Sequence, residues 1–157
     1  MNKEDEFILK DIEPSTSCVN FIENSKGVFL SSEHDFRKGK EVLKQDTFQF
    51  AKWLRQNNSE INVEIAKCEN IIDLKSHEIW IPLIFLANSV ALPLFLNVVY
   101  DYLKFVFRSN LSGDASKVHL KIIYKDKEKF KELDYNGSVE GLEKIKKSAI
   151  NNFMKNE

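Results

Sequence analysis

Hydrophobic and polar residues do not follow one period along this chain, and each change of period marks an expected element. In KVHLKIIY, Val118, Leu120, Ile122 and Tyr124 alternate with polar residues except at Ile123, which predicts a strand with one face on a core. KDKEK reads as a charged turn. Phe130 or Lys131, Leu133 and Tyr135 give a second, weaker strand that stops at Asn136-Gly137. Ser138 is then placed to accept a hydrogen bond from the first turn of a helix. In that helix Val139, Leu142, Ile145, Ala149, Ile150 and Phe153 fall on one stripe, with Glu140 and Glu143 near the start and Lys146 and Lys147 later, as the macrodipole favours. The expected unit, from about 116 to 155, is β-β-α.

The middle of the chain shows no alternation. Residues 79 to 96, IWIPLIFLANSVALPLFL, run for eighteen positions without a charge. That length is near what a bilayer requires, and Trp80 and Tyr100 are spaced like two interfacial aromatics. Asn88, Ser89, Pro82 and Pro93 argue the other way, since an interior proline costs a helix about 3 kcal/mol. After Pro93, the residues Asn97, Asp101, Lys104 and Arg108 trace a narrow polar stripe at helical spacing, and a helix buried on its other sides would show that pattern. The stripe does not extend back through Asn88. Two apolar helices broken near 88 to 92 are expected, a central helical hairpin from about 79 to 108.

The N-terminal half is punctuated more often. Residues 1 to 16 are acidic and end in EPSTS, the composition of a mobile arm, which leaves 17 to 157 as one domain. CVNFIENSKGVFL places two short apolar runs around Asn24-Ser25-Lys26-Gly27 and reads as a hairpin, and SSEHDFRKGK as a polar loop. Val42, Leu43, Phe50, Ala51, Trp53 and Leu54 recur at roughly helical spacing between 41 and 57, with Asp46 or Thr47 as an alternative start. INVEI and the run Ile71, Ile72, Leu74 read as strands. The expected fold class is α+β: short antiparallel strands packed with amphipathic helices around the apolar hairpin.

Composition narrows the function classes. In 157 residues, 23 Lys and Arg face 24 Asp and Glu, so no global field steers the chain to nucleic acid or anionic lipid. Cys18 and Cys68 lack the spacing of a zinc knuckle or a disulfide framework, and MNKEDEFILKD has acids where an export signal carries bases. A cytoplasmic protein is expected, with a membrane-associated one as the alternative. The abundance of Lys, Asn and Ile points to an AT-rich bacterial genome.

Chemistry-bearing motifs are sparse. His34 sits between Glu33 and Asp35, whose side chains diverge from it; His77 precedes the apolar run; His119 is explained as an exposed strand position. No phosphate loop, nucleophile elbow or metal-ligand pair is present, so no cofactor and no metal are expected. One constellation fits a magnesium-dependent nuclease: Asp73 and Lys75, two apart on a strand, with Glu60 or Glu64 as a second carboxylate. The leading expectation is a non-enzymatic protein-binding, regulatory or adaptor subunit of a larger bacterial complex of the toxin, immunity or defence kind. Its partner is expected to be another protein or a second copy. Trp80, Leu83, Phe85, Leu94, Phe95 and Tyr100 are the candidate contact residues, whether for a protein or, in a membrane-inserting effector using 79 to 107, for lipid.

Overall fold

The computed structural model describes residues 5–35, 37–73, 78–108 and 117–155. Along them run β1 (Glu6–Asp11), α1 (Thr16–Asn24), β2 (Val28–Ser31), β3 (Glu33–Asp35), β4 (Lys40–Lys44), α2 (Asp46–Asn57) and β5 (Val63–Ile65). Next come β6 (Ile71–Ile72), β7 (Ile79–Trp80), β8 (Leu83–Leu86), α3 (Leu92–Arg108), β9 (Val118–Asp126), β10 (Lys129–Gly137) and α4 (Val139–Lys155). The fold is α+β. Seven strands form one mixed sheet in the order β1-β10-β9-β8-β2-β5, with β7 also on β9; β3, β4 and β6 form a smaller three-stranded sheet.

The large sheet has an apolar layer on each face. On one, Val28, Leu30, Ile84, Leu86, Leu120, Ile122, Leu133 and Tyr135 pack with Phe50 and Leu54 of α2, Phe95, Val99 and Leu103 of α3, and Leu142 and Ile145 of α4. On the other, Phe85, Ala87 and Ile123 meet Cys18, Phe21 and Ile22 of α1, with Phe29 alongside. Strand β8 therefore sends alternate side chains into two cores. A strand buried on both faces has no reason to alternate in polarity, which is why Leu83 to Ala87 reads as a continuous apolar run.

That arrangement corrects the expected helical hairpin. Its first arm is β7 and β8, both parallel to β9, and only its second arm, α3, is a helix. From Ile79 to Ile84 the chain advances five residues while its partners on β9, Val118 to Ile122, advance four. The extra residue lies around Ile81-Pro82, where a missing proline N–H is tolerated at a break in the ladder. Residues 79 to 96 do not form one helix, and among the described residues no helix is long and apolar enough to cross a membrane. The helical form of the bilayer-spanning alternative is thereby overturned for this segment.

Three further expectations change. CVNFIENSKGVFL is not a hairpin: Ser15 accepts the Cys18 amide at 3.2 Å and starts α1, whose Cys18, Phe21 and Ile22 are buried at helical spacing. Residues 41 to 57 split into β4 and the shorter helix α2, beginning at Asp46. Within the expected arm, residues 6 to 11 are β1, paired antiparallel with β10 from Glu6 opposite Asn136 to Asp11 opposite Lys131. Asp5 fastens that strand, its carboxylate accepting the Ser138 amide at 2.9 Å ahead of α4.

Candidate functional site

Strand register assembles the most heavily connected polar cluster from residues far apart in sequence. Glu6, Asn136, His119 and Trp80 lie in one row across β1, β10, β9 and β7. Ile8, Asp134 and Lys121 form the next row. Residues two apart on a strand share a face, so these rows lie on the side of the sheet that carries Ile123 and Phe85. The apolar packing of α1 reaches Ile123, and the two rows beyond it are partly or fully exposed and, apart from Trp80 and Ile8, polar.

His119 is the centre of this cluster. Its ring stacks on Trp80, with centroids 3.6 Å apart and planes 11° from parallel. Asn136 directs its amide nitrogen to Asp134 Oδ1 at 3.2 Å, which turns its oxygen toward His119 Nδ1 at 2.5 Å. On the other side Nε2 lies 3.0 Å from Glu78 Oε2. Both ring nitrogens thus lie against oxygen atoms of the protein, and neither is open to a substrate. General-base chemistry at His119 would first require one of these contacts to open. The reading of His119 as a plain exposed strand position is corrected: its side chain is only 14% exposed. The alternation of β9 does place it on the polar face, but its partners depend on register, which no local pattern carries.

Trp80 also joins the two sheets. The Lys44 ammonium of β4 lies 5.2 Å from its ring centroid and pairs with Glu33 of β3 at 2.5 Å. Of the other expected contact residues, Phe85 and Phe95 belong to the two cores, so they are not available as surface. Leu83 is partly buried under α1. Tyr100 bridges α3 to α4: its hydroxyl donates to Glu143 at 3.3 Å, and the Lys104 and Lys146 ammonium groups lie 4.8 and 4.4 Å from its ring. Burial, then the Glu143 carboxylate, pushes the Tyr100 hydroxyl pKa upward. Only Leu94, at 58% exposure, is an open apolar contact of the kind expected.

Of the expected nuclease residues the described chain includes Glu60, Glu64 and Asp73. Glu64 is exposed on β5 of the large sheet, Asp73 follows β6 of the small one, and Lys75 lies outside the described residues, as does His77. What Asp73 does approach is Asp46 at the start of α2, whose carboxyl is held above its ordinary value by burial and then by the charge of Asp73. Among the described residues no group of three or more His, Cys, Asp or Glu side chains is arranged to hold a metal ion.

Sequence reasoning passed over a further open apolar surface, apart from the single exposed side chains of Phe48, Ile71 and Phe105. Phe7, Ile8 and Leu9 of β1 are 36%, 51% and 46% exposed, and all six residues of the strand are exposed. The strand ends the sheet, so among the described residues its outer edge pairs with no other strand. At the opposite edge Arg55 covers β5 by donating to the Val63 carbonyl at 3.0 Å. The available sequence signal was the alternation of charge around FIL in EFILKD. Compared with known protein families, curated proteins and solved structures, this chain matches none.

Proposed function

We propose that the chain is a non-enzymatic binding module, a regulatory or adaptor subunit that takes up its partner by strand addition at β1. The observation that carries this reading is the pairing of an open strand edge with three consecutive exposed apolar side chains. A strand edge supplies main-chain donors and acceptors for affinity, and side chains on its two faces supply selectivity. Proteins ordinarily guard such edges or use them. The engaged nitrogens of His119 favour binding over catalysis as well.

The direction of the main chain makes a selective test available. Ile12 donates its amide to the Phe130 carbonyl at 3.0 Å, continuing the β1–β10 register. Even-numbered residues of β1 therefore turn their N–H groups toward β10, and Phe7, Leu9 and Asp11 turn theirs outward. Leu9→Pro removes an outward donor and leaves the internal ladder intact. Peptides selected from a random display library on the immobilised protein are expected to be extended and apolar, and to lose binding to Leu9→Pro. A library yielding no peptide that distinguishes the two proteins would overturn the reading.

A further inference from the structure

We infer that the strand received by β1 is β1 of a second copy, antiparallel about a two-fold axis at Ile8, joining two seven-stranded sheets into one. This inference rests on the binding reading above and names its partner. The outward main-chain groups belong to Phe7, Leu9 and Asp11, so only registers that set odd residues opposite odd residues allow hydrogen bonds to form across the new edge. Among these, one register places Phe7 opposite Leu9 of the other copy, each pair exchanging two main-chain bonds. In the same register Ile8 meets Ile8, and Glu6 meets Lys10 twice, once on each side of the axis.

Within the strand itself, charge complementarity favours that register. A shift of two residues one way puts Glu6 opposite Ile8, and a shift the other way puts Lys10 opposite Ile8; either separates Glu6 from Lys10, the counter-charge pair that lies within β1. The like pair that could oppose the chosen register, Asp5 facing Asp11, is relieved because Asp5 is turned inward onto Ser138. On one face Phe7 and Leu9 extend the row of buried Tyr135 and Leu133, so the second copy continues an existing core margin. On the other face Lys10 already pairs with Glu132 at 3.2 Å and would lie between two carboxylates. A closed two-fold contact satisfies both edges at once and leaves no strand to propagate a fibre.

The test is sedimentation of the full chain over a concentration series, with thermal melts of every variant to confirm folding. Wild type is expected to show a monomer–dimer equilibrium that Leu9→Pro abolishes. Glu6→Lys and Lys10→Glu each set like charges opposite at two places and are expected to weaken the dimer about tenfold. The double variant Glu6→Lys/Lys10→Glu restores opposite charges and is expected to recover wild-type association to within about threefold. Because Lys10→Glu also breaks the pair with Glu132, Glu132→Gln serves as its control. A wild type that stays monomeric up to its solubility limit would overturn the self-pairing and leave peptide capture by β1 standing. A dimer indifferent to Leu9→Pro, or not rescued by the double exchange, would place the interface elsewhere and overturn it equally.

Discussion

Gly27 stands where three strands converge: its carbonyl accepts the Ala87 amide at 3.0 Å, and the next residue, Val28, donates to Asn62 at 2.8 Å. Its φ of +81° lies in the left-handed region, and a Cβ built on it would collide with the Asn62 backbone carbonyl, carbon and Cα. Gly39 shares the positive φ, at +64°, but has open space where a Cβ would go. The two glycines therefore separate conformational strain from steric exclusion. Gly39→Ala is expected to cost about 1 kcal/mol, whereas Gly27→Ala adds a backbone collision and is expected to cost about 3 kcal/mol or more. Denaturant unfolding of the pair checks the ranking, and equal losses would mean that Asn62 yields freely. In the sequence both glycines look like ordinary turn residues. The difference comes from the backbone at Asn62, which leads into β5 thirty-five residues after Gly27.

Among the elements, β9 and α4, each buried mainly on one face, were legible, and β8, buried on two, was not. Val118, Leu120 and Ile122 alternate because β9 turns them to the core that α2, α3 and α4 cover, and the stripe of Leu142 and Ile145 in α4 follows from the same one-sided burial. Ile123 breaks that alternation because α1 covers its part of the other face. In β8 both faces are covered along the whole strand, and the period that would separate strand from helix disappears. Strand β1 was illegible for the opposite reason, since with no buried face its short apolar run resembles a tail. Of the candidate site, the residue types Trp80, His119 and Asn136 stood in view, but their convergence is a property of register. Main-chain phase in β1 supplies a direct check: Ile8→Pro removes a donor to β10 and is expected to cost about 1 to 3 kcal/mol, while Leu9→Pro is expected to cost less than about 1 kcal/mol. Reversed melting shifts would show that the outward and inward residues have been exchanged.

At the scale of the whole molecule, burial makes alkaline pH the vulnerable side. Burial lifts the Cys18 thiol from 9.0 to about 11 and the hydroxyls of Tyr102, Tyr124 and Tyr135 from 10.0 to about 12. Each group loses its proton more readily unfolded than folded, so the folded state holds more protons in these intervals and stability falls as pH rises through them. The stabilisation is fully present below pH 9.0 and is lost first through Cys18, between pH 9.0 and about 11. Denaturant unfolding across that interval is expected to show a declining stability in wild type and a flatter profile in Cys18→Ala. Identical slopes would assign the loss to other groups.

The pairing of β1 with β10 also sets an order of events in the life of the chain. Asp11 meets Lys131, 131 − 11 = 120 residues later, so during synthesis β1 waits for a partner strand made well after it. At roughly 5 to 20 residues per second that interval is about 6 to 24 s. Throughout it Phe7, Ile8 and Leu9 have been made while β10, the strand they pair against, has not. The ribosome therefore exposes both edges of this strand before β10 covers one of them, so the order of synthesis leaves this apolar strand unguarded longer than the finished fold does.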